Sequence, residues 1–127
     1  MNATQLAMST YATAAPSNAA ILTPRDIEYR AFARVTRGLQ EAKLAGHMPA
    51  VAEAMYENTR LWTTLAAEVL DSRSQLPETL RAQIVNLSRF SQVHAGKVLR
   101  GAGAVDVLID INLAVMRGLQ PTREKSI

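Results

Sequence analysis

Cysteine is absent from this chain of 127 residues. That excludes disulfide frameworks, thiolate catalysis, iron–sulfur clusters and cysteine zinc sites. Histidine is nearly absent too: His47 and His94 are the only two, which leaves little for a metal centre, and no cofactor is expected. Aromatic residues are 5%, with a single Trp. No apolar run approaches the roughly 20 residues that span a bilayer, because Val107 to Met116 is interrupted by Asp110 and Asn112. No membrane insertion is expected. The start of the chain has neither the positive charge nor the apolar core of a secretory signal, so a cytoplasmic protein is the expectation. Walker and dinucleotide glycine motifs, a nucleophile elbow and an HExxH pair are all missing. An enzyme reading has almost no residue to stand on.

What remains is a globular composition, 48% hydrophobic and 20% charged, of single-domain length. The net charge of +3 comes from 11 Arg and 3 Lys against 11 acids. Arg favours planar, forked pairing with carboxylates and is common at protein interfaces. A sequence pI of about 9.7 also suits nucleic acid, yet +3 over the whole length is a weak field, so composition alone does not choose between these partners.

Charge is also unevenly placed. Residues 1–24 have no charged side chain and are rich in Ala, Thr and Ser. Residues 1–22 read as an arm that needs a surface to lie on, or as a frayed terminus. Residues 23–119 read as a helical domain and 120–127 as a polar tail.

Within the domain the apolar residues recur at three- and four-residue steps. Thr23-Pro24-Arg25-Asp26 opens a first helix by the logic of capping and of Pro at the first helical position. Phe32, Val35, Leu39 and Ala42 share one of its faces, Arg30, Arg34 and Arg37 another, and Gly46 closes it. Pro49 restarts the chain. Val51, Met55, Asn58, Trp62, Leu65 and Val69 then form the longest stripe, ending at the polar turn 71–74. Pro77 opens a third helix with Leu80, Ile84, Leu87, Phe90 and Ser91 on its apolar face, and 96–103 reads as a small-residue break. Val105, Leu108, Ile109, Asn112, Met116 and Leu119 make the last stripe. No segment alternates with period two. The pattern predicts an all-α bundle of four main helices with antiparallel neighbours, plus an N-terminal arm or helix.

Few polar residues in these stripes invite a functional reading. Asp106 and Asp110 share a helix face, without a third ligand or base nearby, so a solvated face is the simpler account. His47 and His94 read as structural or surface residues. Asn86-Leu87-Ser88 matches a glycosylation sequon but lies inside a predicted helix. Asn58 and Asn112 each interrupt an apolar stripe, and a buried unpaired amide costs about 1–3 kcal/mol. They either pair and fix helix register or read the backbone of a docked partner helix. The Arg30/Arg34/Arg37 stripe suits phosphate or carboxylates, or is a solvated face with Glu28 and Glu41 beside it.

Four of these segments, taken in order, resemble the FlaF family. Pro24-Arg25-Asp26-Ile27-Glu28 is similar to its Pro-Arg-x-x-Glu opening. Asn58-Thr59-Arg60-Leu61-Trp62 is similar to its Asn-Arg-x-Leu-Trp. Leu76-Pro77-Glu78-Thr79-Leu80-Arg81, with Ile84 and Leu87-Ser88-Arg89-Phe90, is similar to its Leu-Pro-x-x-Leu-Arg segment and the helix after it. Leu108-Ile109-Asp110-Ile111-Asn112 with Gly118-Leu119 is similar to its closing Ile-Asn…Gly-Leu. The resemblance spans residues 24–119, and more loosely Ala7 to Tyr11. Thr59 replaces a usual Arg and Gln83 a common Asn.

The resemblance implies a flagellar biosynthesis regulator of the cytoplasm, with no catalytic residue and no cofactor. It implies flagellin as partner, with its terminal helices exposed before assembly, and FlbT and the flagellar type III export apparatus as further partners. Helix-in-groove docking then predicts apolar and aromatic anchors with Arg at the rim. Phe32, Met55, Trp62 and Leu65 are the expected anchors, Arg34 and Arg60 the rim charges, and Asn58 and Asn112 the backbone readers. Core packing is the competing account of Trp62 and Met55. The alternative function is an RNA-associated post-transcriptional regulator of flagellin translation.

Overall fold

The computed structural model describes residues 24–71 and 75–119. The expectations placed on residues 1–22 and 120–127 lie outside the described residues. Among those described there are four helices and no strand: α1 (Pro24–Ala45), α2 (Met48–Leu70), α3 (Glu78–Leu99) and α4 (Asp106–Leu119). The all-α four-helix bundle expected from the periodicity is what forms.

The helix ends follow local chemistry. Gly46, at φ 70°, takes the left-handed position after α1 and donates to Ala42 O at 3.0 Å. His47 then caps α2, its Nδ1 accepting from Ala50 N at 3.3 Å, with Pro49 in the first turn where no amide is needed. The predicted break over 96–103 needs correcting, because α3 runs through Gly96 to Leu99. The stop is Gly101, at φ 75°. Gly101 N donates to Val98 O at 3.0 Å and Ala102 N to Lys97 O at 2.8 Å, the two bonds of a Schellman ending. Glycine inside the helix costs only about 1 kcal/mol, so Gly96 does not end it.

Short connections make the successive helices antiparallel. α2 packs against both α1 and α3, and α1 packs against α4, while α3 and α4 barely touch. The α3–α4 approach is held at the loop end. His94 Nε2–H donates to Ala104 O at 2.8 Å, and a Cβ on Gly103 would lie 3.0 Å from His94 Cε1. Phe90 is 49% exposed rather than on the core face, and its ring stacks on His94 at 5.8 Å.

At this same end Lys43 Nζ meets Asp106 Oδ2 at 2.8 Å. The hydrogen bond from Lys43 holds the Asp106 carboxyl below its ordinary 3.8. The linkage sign follows: the pair contributes above the unfolded carboxyl's pKa and is lost as pH falls through the lowered folded value. Both side chains are about half exposed, so screening keeps the effect small. Lys43→Ala should return the Asp106 titration, followed by NMR, to the ordinary range. It should leave the melting temperature at neutral pH within error.

Candidate functional site

The buried side chains fall into two apolar clusters, one at each end of the bundle. The cluster nearer the α1–α2 loop holds Leu39, Ala42, Ala54, Met55, Ala95, Val98, Leu108 and Ile109. The other holds Ala31, Phe32, Val35, Leu61, Trp62, Leu65 and Val69. Phe32 meets Trp62 edge-to-face, with centroids 5.4 Å apart at 81°, a favoured aromatic geometry.

Each helix passes from one cluster to the other at a buried polar residue: Thr36 in α1, Asn58 in α2, Ser88 and Ser91 in α3, Asn112 in α4. Together they form a polar layer across the waist. Its centre is fully determined. Trp62 Nε1–H is a donor only and gives its proton to Asn112 Oδ1 at 3.0 Å. That turns Asn112 Nδ2 toward Asn58 Oδ1, at 2.8 Å. The amide orientations are therefore forced in sequence from the indole outward, and α2 is tied diagonally to α4. Ser88 Oγ donates to Trp62 O at 3.2 Å, binding α3 to α2. Thr36 Oγ1, Asn58 Nδ2 and Ser91 Oγ have no hydrogen-bond partner among the described residues.

Of the residues expected to meet a partner, Phe32, Met55, Asn58, Trp62, Leu65 and Asn112 are all buried. They reach a partner only if the helices part. In this conformation the two amides pair with each other, which is the register-fixing alternative. Arg34 and Arg60 are exposed. Arg34 borders a shallow groove between α1 and α2 that also carries Glu41, Glu53 and Glu57.

The most exposed large apolar side chains are scattered, Leu44, Tyr56, Leu70 and Val93 among them, and a partly covered apolar row lies on α3 and α4. Leu80, Ile84, Leu87, Ser91, Ala95 and Val98 follow one another on one face of α3. In the second half of the helix that face is sealed: Ser91 is 0% and Ala95 5% exposed. In the first half it is open, with Leu80 at 40% and Ile84 and Leu87 partly buried. α4 behaves the same way in reverse. Leu108 and Asn112 are 0% exposed, while Val115 and Met116 are only partly buried. Ile84, Leu87, Ile111, Val115 and Met116 all pack on the Phe32–Trp62 cluster. α3 and α4 hardly touch, and at the end of the bundle where α1 begins and α4 stops these apolar rows are only partly covered.

Periodicity identified Leu80, Ile84, Leu87 and Met116 as apolar-face positions, missed Ile111 and Val115, and did not separate any of them from the sealed half. The signal available was the shift along α3 from Leu and Ile to Ser and Ala, since large side chains hold the helices apart where small ones let them close.

Among the described residues no helix is long and apolar enough to cross a membrane. A family model described as Flagellar protein FlaF matches residues 7–119. No curated protein and no solved structure matches the chain.

Proposed function

The chain belongs to the FlaF family of flagellar proteins, and from that premise we propose that it is a non-enzymatic flagellin-binding protein of the cytoplasm. It acts as an export chaperone and couples flagellin secretion to flagellin synthesis. FlbT and the export apparatus are its further proposed partners. The observation that supports this reading is the incompletely covered apolar row of α3 and α4: Leu80 is exposed, and Ile84, Leu87, Val115 and Met116, which pack on the Phe32–Trp62 cluster, are only partly buried. An amphipathic helix laid along that row exchanges wetted apolar surface for buried surface at about 25 cal/mol per Å². A flagellin terminal helix that has not yet paired in a filament presents such a face.

RNA binding has less support. Phosphate recognition needs basic side chains facing one way, and the groove beside Arg34 holds three glutamates. Stacking surfaces for bases are also scarce, with 5% aromatic residues.

The test is capture of monomeric flagellin by the tagged full chain. Flagellin should be retained, and flagellin lacking its terminal helices should not. Equal retention of both forms would remove the helix-in-groove reading.

A further inference from the structure

The groove between α1 and α2 is a surface separate from the apolar row, and we propose that it docks a partner helix carrying Lys or Arg one turn apart and an acidic residue one turn further on. The groove has a volume of about 320 Å³. Its floor is small and apolar, made by Val35, Gly38 and Ala42 of α1 and Ala50 and Ala54 of α2. Its rim is charged, with Arg34 and Glu41 on α1 and Glu53 and Glu57 on α2.

Two local costs meet here, and the bundle does not use either. Gly38 lies inside α1, where glycine is less stable than Ala. Its φ is not left-handed, and a Cβ added there would meet nothing within 4 Å. Neither turn geometry nor internal packing therefore requires a glycine. What the missing Cβ leaves is open floor on which another backbone can come close. Glu53 and Glu57 stand at i and i+4, a spacing at which like charges weaken a helix. Among the described residues, Arg34, Glu41, Glu53 and Glu57 make no ion pair. Local preferences broken without a compensating contact inside the fold are expected at functional surfaces.

The charges are also ordered along the groove. α1 and α2 run antiparallel about Gly46 and His47. Glu41 and Glu53 therefore lie at one level near the loop, Glu57 a turn further, and Arg34 beyond it. A helix with cations at i and i+4 and a carboxylate at i+7 meets each of them with its opposite. The methylenes of Lys or Arg can rest on the Ala floor while the head group reaches a carboxylate. Phosphate groups of a nucleic acid or a lipid would instead face three glutamates, a like-charge contact that disfavours them. The assignment does not depend on the apolar row of α3 and α4 or on what binds there.

The probe is a synthetic alanine-based helical peptide with Lys at i and i+4 and Glu at i+7, titrated at low salt into the isotope-labelled full chain. NMR amide signals of Gly38, Ala42, Ala50 and Ala54 should shift, those of α3 should not, and added salt should weaken the interaction. The same peptide with its charges exchanged should shift nothing. Glu53→Lys with Glu57→Lys should weaken binding about tenfold or more. Gly38→Leu should weaken it as much by filling the floor. Because the space over Gly38 is open, that substitution should raise the melting temperature, which separates lost binding from lost folding. No shift with the lysine peptide, equal shifts with both peptides, or binding unchanged by Gly38→Leu overturns the proposal. No flagellin enters the measurement, so a negative result leaves the chaperone reading standing.

Discussion

Asn112→Leu is expected to destabilise the bundle by about 2–4 kcal/mol, whereas Asn58→Leu changes stability by no more than about 1 kcal/mol. Both residues are fully buried amides on apolar stripes, so a rule based on burial alone would predict equal effects. Their positions in the hydrogen-bond chain differ. Asn112 accepts from the Trp62 indole and donates to Asn58. Replacing it orphans the indole N–H and the Asn58 carbonyl oxygen, and leaves the whole Asn58 amide unpaired. Replacing Asn58 orphans only Asn112 Nδ2, and it also removes Asn58 Nδ2, which already lacks a partner. One unsatisfied donor is exchanged for another while apolar volume is gained. Urea unfolding of the two variants, followed by circular dichroism, checks the asymmetry. Equal destabilisation would mean that the layer is not organised from Trp62 outward.

The second large effect concerns the apolar row of α3 and α4. Leu80→Glu combined with Met116→Gln should weaken flagellin binding about 30-fold, or about 2 kcal/mol. Leu80 is 40% exposed, so a carboxylate there remains hydrated in the free protein. It is desolvated only when a helix covers it. Met and Gln are similar in length, and the substitution adds polarity to the row without removing volume. Arg34→Ala should change affinity little, because Arg34 lies on the α1–α2 side among glutamates. Titration of flagellin into each variant, with helicity verified by circular dichroism, separates the two surfaces. If Arg34→Ala proved the damaging change, the docking surface would have to move to the α1–α2 groove.

The helices were legible in the sequence because each has a long apolar stripe and most have marked ends: Pro24, Gly46, Pro49 and Pro77 all fall at boundaries in the structure. Gly96 misled because a glycine's role depends on its φ, and the left-handed position belongs to Gly101. The register of the amides was legible as a choice between two roles, and pairing across the waist is the one the geometry shows. The site was less legible. An apolar stripe marks a face that is buried against something, and it does not say whether that neighbour belongs to the same bundle. Trp62 and Met55 looked like anchors because they are large and central, yet those same properties place them at the closed middle of α2, flanked by α1 and α3. Leu80, Ile84 and Met116 continue their stripes without any local mark. Their incomplete cover follows from how little α3 touches α4, a property of two helices that no single-helix pattern contains.

The most direct test of the account is calorimetric titration of the full chain with monomeric flagellin, over a range of temperature and at low and high salt. Docking of an amphipathic helix on an apolar row predicts a negative heat-capacity change and an affinity that barely moves with salt. An affinity that falls steeply as salt rises, with no heat-capacity change, would contradict it and indicate an interface made of charge.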